Sequence, residues 1–286
     1  MSTPAPTPFP VARAAVAATG GAFAAPERTG STNTDLLAAA PTSPHGSVVV
    51  TLDQTAGRGR LDRTWTAPVG ETLAASLLVR ADLDARERGW LPLVAGAAMR
   101  DAVAAVVPGA VGPDRASRPA ADDDASGPSG PLVEVKWPND VLVDGRKVCG
   151  ILCQVAADGS VVVGAGVNLT VPAERLPTPT STSLALAGAV GDAAALADAV
   201  LSAFHRAVLE AVAALVAGGA AAEAVRSGVR AACGTIGRRV RVELPDGTVE
   251  EADATGVDDE GRITIRDRRD GTRSVSVGDV THLRYA

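Results

Sequence analysis

Up to about position 170 the apolar residues of this chain come in short runs bounded by turn formers. Ser47 to Asp53 (SVVVTLD) and Leu73 to Val79 (LAASLLV) have the length and pattern of strands, and the longer apolar stretch from Ala85 to Val107 predicts a helix. A denser block follows. Leu132 to Trp137, Asp140 to Val143, Val148 to Ala156 and Val161 to Val167 alternate or run apolar, and Asp144-Gly145 and Asp158-Gly159 supply the residues that hairpin turns favour. These runs predict an antiparallel or mixed sheet. Helices over about Asp192–Ala217 and Ala220–Ala232 come next, and at Gly234 the texture changes. RRVRVEL, RITIRD and RSVSVGDV then alternate with PDG, DEG and DG turns over about fifty residues, the pattern of a small barrel. The expected fold is α+β: residues 1–233 form a main domain with helices packed on the sheet, and residues 234–286 a small all-β domain.

Between Pro108 and Pro131 the chain reads PGAVGPDRASRPAADDDASGPSGP. Apolar side chains are too few there to offset the entropy of ordering, so 108–131 is expected to be an exposed, disordered insertion. Composition narrows the functional classes. The formal net charge is −6 and aromatics make up 2% of residues, which offers a polyanion neither attraction nor a stacking surface. Three cysteines, Cys149, Cys153 and Cys233, form no paired framework and suit a reducing compartment. His45, His205 and His282 have no ligand spacing, so no protein-held metal is expected. The N-terminus lacks the basic start of a signal peptide, and the helix near Asp192–Ala217 carries Asp198, His205, Arg206 and Glu210, which a bilayer centre penalises. The expectation is a cytoplasmic protein with no membrane or nucleic-acid partner.

Four stretches carry chemistry. In QTAGRGRLDRTW, residues 54 to 65, Gly57 and Gly59 let backbone amides approach a ligand while Arg58, Arg60 and Arg63 present planar forks suited to carboxylate and phosphate oxygens. On its own this is as well read as a solvated basic loop. VEVKWPNDVLVDGRKVCGIL, residues 133 to 152, places Lys136 at the end of an apolar strand, before a Pro-Asn-Asp turn and Lys147 on the return strand. A lysine in so apolar a strand is costly to bury without a counter-charge, which a ligand or Asp140 must supply. Thr29-Gly-Ser-Thr-Asn-Thr-Asp35 reads as a helix start that also offers hydroxyl and amide groups to a small neutral polar ring. VVVGAGVNLT, residues 161 to 170, ends a strand on small residues and Asn168, which can reach an anion or a sugar.

In this order STN, QTAGRGR with its trailing R-x-W, KWPND with Lys147 and Gly150 downstream, and GAGVN resemble the biotin–protein ligases. The resemblance runs from about Gly30 to Leu169, and the segment after Gly234, with GVDDEGRITI and a closing GDV, is similar to that family's C-terminal domain. It implies a catalytic domain like the class II aminoacyl-tRNA synthetases and an SH3-like C-terminal barrel. It implies further that ATP, with Mg²⁺ on its phosphates, activates biotin to biotinyl-5'-AMP and releases pyrophosphate. A lysine of a biotin carboxyl carrier domain then takes the biotinyl group. By the family pattern Ser31, Thr32, Asn33 and Gln54 hold the ureido ring, and Gly57, Arg58, Gly59, Arg60, Lys147 and Gly150 complete the biotin site. Arg60, Arg63, Trp65, Lys136, Asn139, Lys147 and Asn168 hold the nucleotide. Arg58, Arg60, Lys136 and Asp140 act in catalysis, Asp140 by orienting the incoming lysine.

Lipoate or octanoate ligases and transferases are the alternative of the same fold, but they lack the GRGR loop with its tryptophan and the KWPND turn. Members of the ligase family that double as repressors carry an N-terminal helix-turn-helix, for which the thirty residues before Ser31 are too few, so a monofunctional ligase is expected. Asp62 stands where the family commonly has glycine. With three arginines, two glycines and few apolar side chains, the segment from Gly57 to Arg63 is expected to stay loose until ligand supplies counter-charge.

Overall fold

The computed structural model describes residues 8–60, 63–66, 68–112, 130–243, 249–267, 271–276 and 282–285. Residues 113–129, most of the expected insertion, and Asp62 lie outside the described residues. The main sheet comprises β1 (Phe23–Ala24), β2 (Val48–Thr51), β3 (Thr72–Val79), β4 (Val133–Lys136), β5 (Asp140–Val143), β6 (Arg146–Val155) and β7 (Val161–Asn168), in the order β1-β2-β3-β7-β6-β5-β4. Only β1 and β2 pair in parallel, so the sheet is mixed and mostly antiparallel. The hairpin between β5 and β6 turns on Asp144 and Gly145 with φ of 48° and 72°, the positive pair that a type I′ turn demands.

Period-two alternation gives the two faces of this sheet different tasks. Leu73, Ala75, Leu77 and Val79 of β3 and Val161, Val163, Ala165 and Val167 of β7 enter the main core. That core is closed by α3 (Ala85–Val106), α4 (Ala193–Ala217) and α5 (Gly219–Ala232). By length and composition α3 and α4 could each cross a membrane, yet both bury their apolar faces in this core. On the opposite face Ala74, Ser76, Gly150, Leu152, Gly164 and Gly166 form two cross-strand rows of mostly small side chains. Helix α2 (Thr32–Ala39) covers part of that face, through a small cluster of Leu36, Val49, Leu78 and Val162. A sheet face of small residues, half covered, leaves room for a ligand.

The first helix, α1 (Pro10–Ala18), has no local side-chain cap. Its first amides are instead taken by a distant carboxylate: Val11 N and Ala12 N donate to Asp198 of α4 at 3.0 and 2.7 Å. Cys149 is buried in the core and Cys153 packs against it, and burial pushes the Cys153 thiol up to about 12, which keeps it protonated. Beyond α5 a second, antiparallel sheet runs in the order β11-β10-β9-β8-β12. Its strands are β8 (Arg239–Glu243), β9 (Val249–Val257), β10 (Ile263–Asp267), β11 (Gly271–Val275) and β12 (His282–Tyr285). Val240, Val242, Ala252, Ala254, Ile263 and Ile265 of this sheet join the same core as the helices. Among the described residues β11 and β12 form its two edges, so the segment expected to be a barrel is described as a five-stranded sheet.

His205, 1% exposed on α4, ties the core to the loop before β2. Its Nε2 lies 3.0 Å from Gly46 O, so the neutral ring donates there and its Nδ1 is buried with no partner. Burial lowers the pKa of His205 below 6.5, His45 adds to this, and the Gly46 contact opposes it. As pH falls through 6.5 the unfolded chain takes up this proton before the folded one does, so stability must fall. The urea midpoint is therefore expected to drop between about pH 7.5 and about pH 5, and to drop less in a His205→Gln variant. Equal slopes in the two proteins would show that His205 is not the group that titrates.

Candidate active site

The small-residue face of the main sheet floors a cleft of 310 Å³. Of the residues singled out from the sequence, Ser31, Thr32, Asn33, Gln54, Arg58, Gly59, Arg60, Arg63, Trp65, Lys136, Asn139, Asp140, Lys147, Gly150 and Asn168 line it. Gly57 does not. It is buried, and a Cβ there would stand 2.6 Å from Gln54 Nε2 and 2.7 Å from Trp65 O, so its lack of a side chain lets two chain segments cross.

One end of the cleft is neutral and rich in hydrogen-bonding groups. Ser31 caps α2, which presents Thr32 and Asn33 from its first turn. Thr32 N donates to Gln54 Oε1 at 2.9 Å, holding that amide against the helix start. The Asn33 amide donates to Gln154 Oε1 at 2.7 Å and to Leu152 O at 3.2 Å. The Ser76 hydroxyl lies 2.6 Å from Asn33 Oδ1 and 2.8 Å from Thr32 Oγ1. Each partner fixes its neighbour, so these amide and hydroxyl groups are oriented in advance of any ligand. Gly164 makes this possible, because a Cβ there would stand 2.1 Å from Asn33 Oδ1.

The other end is cationic. Arg58, Arg60, Arg63, Lys136 and Lys147 line the cleft, and among the described residues Asp140 is the one carboxylate that lines it with them. In a chain of net charge −6 with only two lysines, both lysines lie here. Lys147 Nζ is 2.7 Å from Asp140 Oδ1, an ion pair within the cationic end. Arg60 Nη1 donates to Asn139 Oδ1 at 3.4 Å, and Asn139 Nδ2 anchors the turn by donating to Ile151 O at 2.7 Å. Burial lowers the pKa of Arg60 from its ordinary value, opposed by Asp140 and aided by Arg63, while a guanidinium stays charged at any physiological pH.

In the arginine segment, of which residues 61 and 62 lie outside the described residues, the two ends are joined by backbone pairing. Gly59 N donates to Arg63 O at 2.7 Å, Trp65 N to Gly57 O at 3.0 Å, and Arg58 bridges Thr64, so the two ends pair as a short hairpin. Backbone pairing, which charge counting leaves out, replaces the missing apolar contacts. Trp65 then lies on the sheet floor: a Cβ at Gly166 would meet its ring at 2.5 Å and one at Gly150 at 3.3 Å. Lys147 Nζ stands 5.6 Å from its centroid, and the buried Trp65 Nε1 has no hydrogen-bond partner.

Several lining residues escaped the sequence reading. Pro177, Thr178 and Ser181 reach the cleft because Lys147 N donates to Thr180 O and Thr182 N to Lys147 O, laying 177–182 beside β6. Asn168, buried at the end of β7, donates to Thr182 O at 2.9 Å and is thereby fixed. Nothing local marks the TPTST run for this place. Ser76, which holds Thr32 and Asn33 from beneath the cleft, carries no signal either, because a serine within LAASLLV reads only as a strand position.

Residues 25–170 match the biotin/lipoate A/B protein ligase family, and residues 235–283 match the biotin protein ligase C-terminal domain. The chain is 37% identical over 260 residues to the biotin–[acetyl-CoA-carboxylase] ligase of Mycobacterium tuberculosis, covering 90% of this chain and 87% of that protein. The chain belongs to the biotin/lipoate A/B protein ligase family. The fold of this ligase-family chain is similar to that of a biotin protein ligase from Aquifex aeolicus in complex with biotin and ATP, with a TM-score of 0.68 at 20% identity over 93% of this chain and 99% of that one. A biotin protein ligase from Leishmania major in complex with biotinyl-5-AMP aligns over 90% of this chain and 99% of that one, with a TM-score of 0.53 at 24% identity.

Proposed function

We propose that this protein is an ATP-dependent biotin–protein ligase that makes biotinyl-5'-AMP and transfers biotin to a lysine of a biotin carboxyl carrier domain. The observation that carries the reading is one cleft with a preorganised amide and hydroxyl end and a cationic end, in a chain alignable along 90% of its length with a biotin–[acetyl-CoA-carboxylase] ligase. A ureido ring has donors and an acceptor to meet the groups around Thr32, Asn33 and Gln54. The hydrocarbon or dithiolane of an octanoyl or lipoyl group has none, and covering these groups with it would leave them short of water.

The chemistry is two displacements. The biotin carboxylate attacks the α-phosphate of Mg-ATP, the bond to the bridging oxygen breaks, and pyrophosphate leaves. The neutral amine of the carrier lysine then attacks the acyl carbon, AMP leaves, and the amine gives up a proton. Neither step needs a protein nucleophile; both need charge held where it develops. Arg58, Arg60, Lys136 and Lys147 supply that charge in this reading, with Arg63, Trp65, Asn139 and Asn168 on the nucleotide. Asp140, paired with Lys147, orients the incoming amine in this reading. A division near residue 233, with a C-terminal domain beyond it, and a cytoplasmic setting, supported by three free cysteines, complete the proposal.

Mass spectrometry of a purified carrier domain tests it. Incubation with the protein, biotin and Mg-ATP is expected to add one biotin-sized mass to a single lysine, and omission of ATP to abolish the gain. Modification with lipoate or octanoate but not biotin would replace this function with the alternative.

A further inference from the structure

The turn between β9 and β10, residues 258–262, belongs to the C-terminal sheet and is gripped by two helices of the main core. It holds its own shape: Asp258 Oδ1 accepts from Glu260 N at 2.9 Å and from Arg262 N at 3.0 Å, and Gly261 closes it at a φ of 77°. On α3, Arg86 Nε and Trp90 Nε1 both donate to Asp259 O, at 3.0 and 2.9 Å. On α5, Arg230 Nε donates to Val257 O beside the turn at 3.0 Å. Gly89 of α3 lets the turn lie against the helix, because a Cβ there would stand 2.4 Å from Glu260 O. From this fixed turn Gly261 O accepts from Trp137 Nε1 at 3.0 Å.

Trp137 is 1% exposed, lines the cleft, and stands between Lys136 and the Pro138-Asn139-Asp140 turn. Its backbone N donates to Thr235 Oγ1 at 2.9 Å, so backbone and ring are both held by residues beyond α5. Two positions on, Asn139 accepts from Arg60 Nη1 at 3.4 Å and donates to Ile151 O at 2.7 Å. A buried indole N–H is costly to leave without an acceptor, so displacing Gly261 O either draws the ring after it or leaves that donor unmet. Resting on the ligase reading above, we propose that Trp137 is a positioning residue, through which the place of Gly261 in the C-terminal sheet sets the Pro138–Asp140 turn at the nucleotide end of the cleft. The amide and hydroxyl end is outside its reach, because Asn33 is fixed there by Ser76 and Gln154.

The test compares the full chain with Trp137→Phe, Gly89→Ala and the double variant. It measures biotin-dependent exchange of pyrophosphate into ATP, biotin affinity by calorimetry, and amide hydrogen exchange by mass spectrometry. Trp137→Phe keeps an aromatic ring and removes the donor, whereas Gly89→Ala suits a helix and pushes on Glu260 from outside the cleft. Each single variant is expected to lower kcat/KM for ATP about fivefold or more while biotin Kd stays within about twofold. The double variant is expected within about twofold of Trp137→Phe, because a displaced turn then has no tie left to pull on. In Gly89→Ala the peptide spanning residues 137–142 is expected to exchange about threefold faster or more, with residues 32–39 unchanged. Wild-type kcat/KM in the single variants overturns the proposal. So does biotin Kd rising in step, which indicates a loosened fold alone, or a double variant whose loss is the product of the two single losses. Should Trp137→Phe not fold, Gly89→Ala decides: faster exchange at 137–142 together with the loss in kcat/KM supports the proposal, and absence of either overturns it. A wild type without biotin-dependent exchange removes the ligase function itself, and amide exchange in Gly89→Ala then still decides whether the C-terminal turn sets the Pro138–Asp140 turn.

Discussion

Replacing Lys136 with glutamine is expected to lower biotin-dependent pyrophosphate exchange by about 10²–10³-fold while biotin binding stays within a few-fold of wild type. Lys136 lines the cationic end of the cleft, away from the amide and hydroxyl groups that orient a neutral ring. A cation at a phosphate acts mainly on charge that grows as the carboxylate attacks and pyrophosphate departs, so its loss is felt in the transition state rather than in the ground state. Removal of one such preorganised group typically costs about 2.7–4 kcal/mol of barrier. Lys147 cannot take over, because it stands on β6, two strands from β4, and is already engaged with Asp140 at 2.7 Å. Isotope exchange gives kcat and calorimetry gives the biotin affinity. Exchange at a wild-type rate would remove Lys136 from the mechanism, whereas parallel loss of binding would assign it to biotin instead.

Gly164→Ala is expected to weaken biotin binding by about two orders of magnitude in a protein that still folds. The added methyl carbon would stand 2.1 Å from Asn33 Oδ1, 2.8 Å from Cγ and 2.9 Å from Nδ2, so Asn33 has to move. Three contacts resist that movement, from Ser76, Gln154 and Leu152. Losing them costs the fold up to about 3 kcal/mol at about 1 kcal/mol each, and the displaced amide leaves the ligand's polar groups unmet, at about 1–3 kcal/mol of affinity. Gly164 sits in β7 with no positive φ, so alanine suits its backbone and the cost lies in the contact. Calorimetry with biotin, alongside a thermal melt, checks the prediction. An affinity within about threefold of wild type would mean that the Asn33 amide does not serve the ligand.

The strands and long helices were legible because each carries its signal locally. Thr72–Val79, Ala85–Val106 and Val161–Asn168 agree with the apolar runs to within a residue or two, and Asp144-Gly145 turns as its composition demands. Helix α1 was not legible, since the carboxylate that holds its first amides belongs to Asp198. The pairing of the arginine segment's two ends was not legible for a related reason: it is made by backbone amides and carbonyls, which are the same for every sequence.

By itself the sequence determined the chemistry available to this protein: the three arginines of GRGRLDRTW, Lys136 of KWPND and Lys147 after it, hydroxyl and amide groups at Ser31 to Asn33, and small residues at Gly164 and Gly166. Those features are covalent and local, so spacing and residue type suffice to read them. Tertiary structure decided which of these groups meet. It set Asp140 against Lys147, laid Trp65 on Gly166, brought residues 177–182 to the cleft, and met the charge of Glu134 with Arg238 from 104 positions away. Partners of this kind are selected by the packing of sheet, helices and C-terminal segment together, and buried charge is tolerable only where that packing brings its counter-charge within reach.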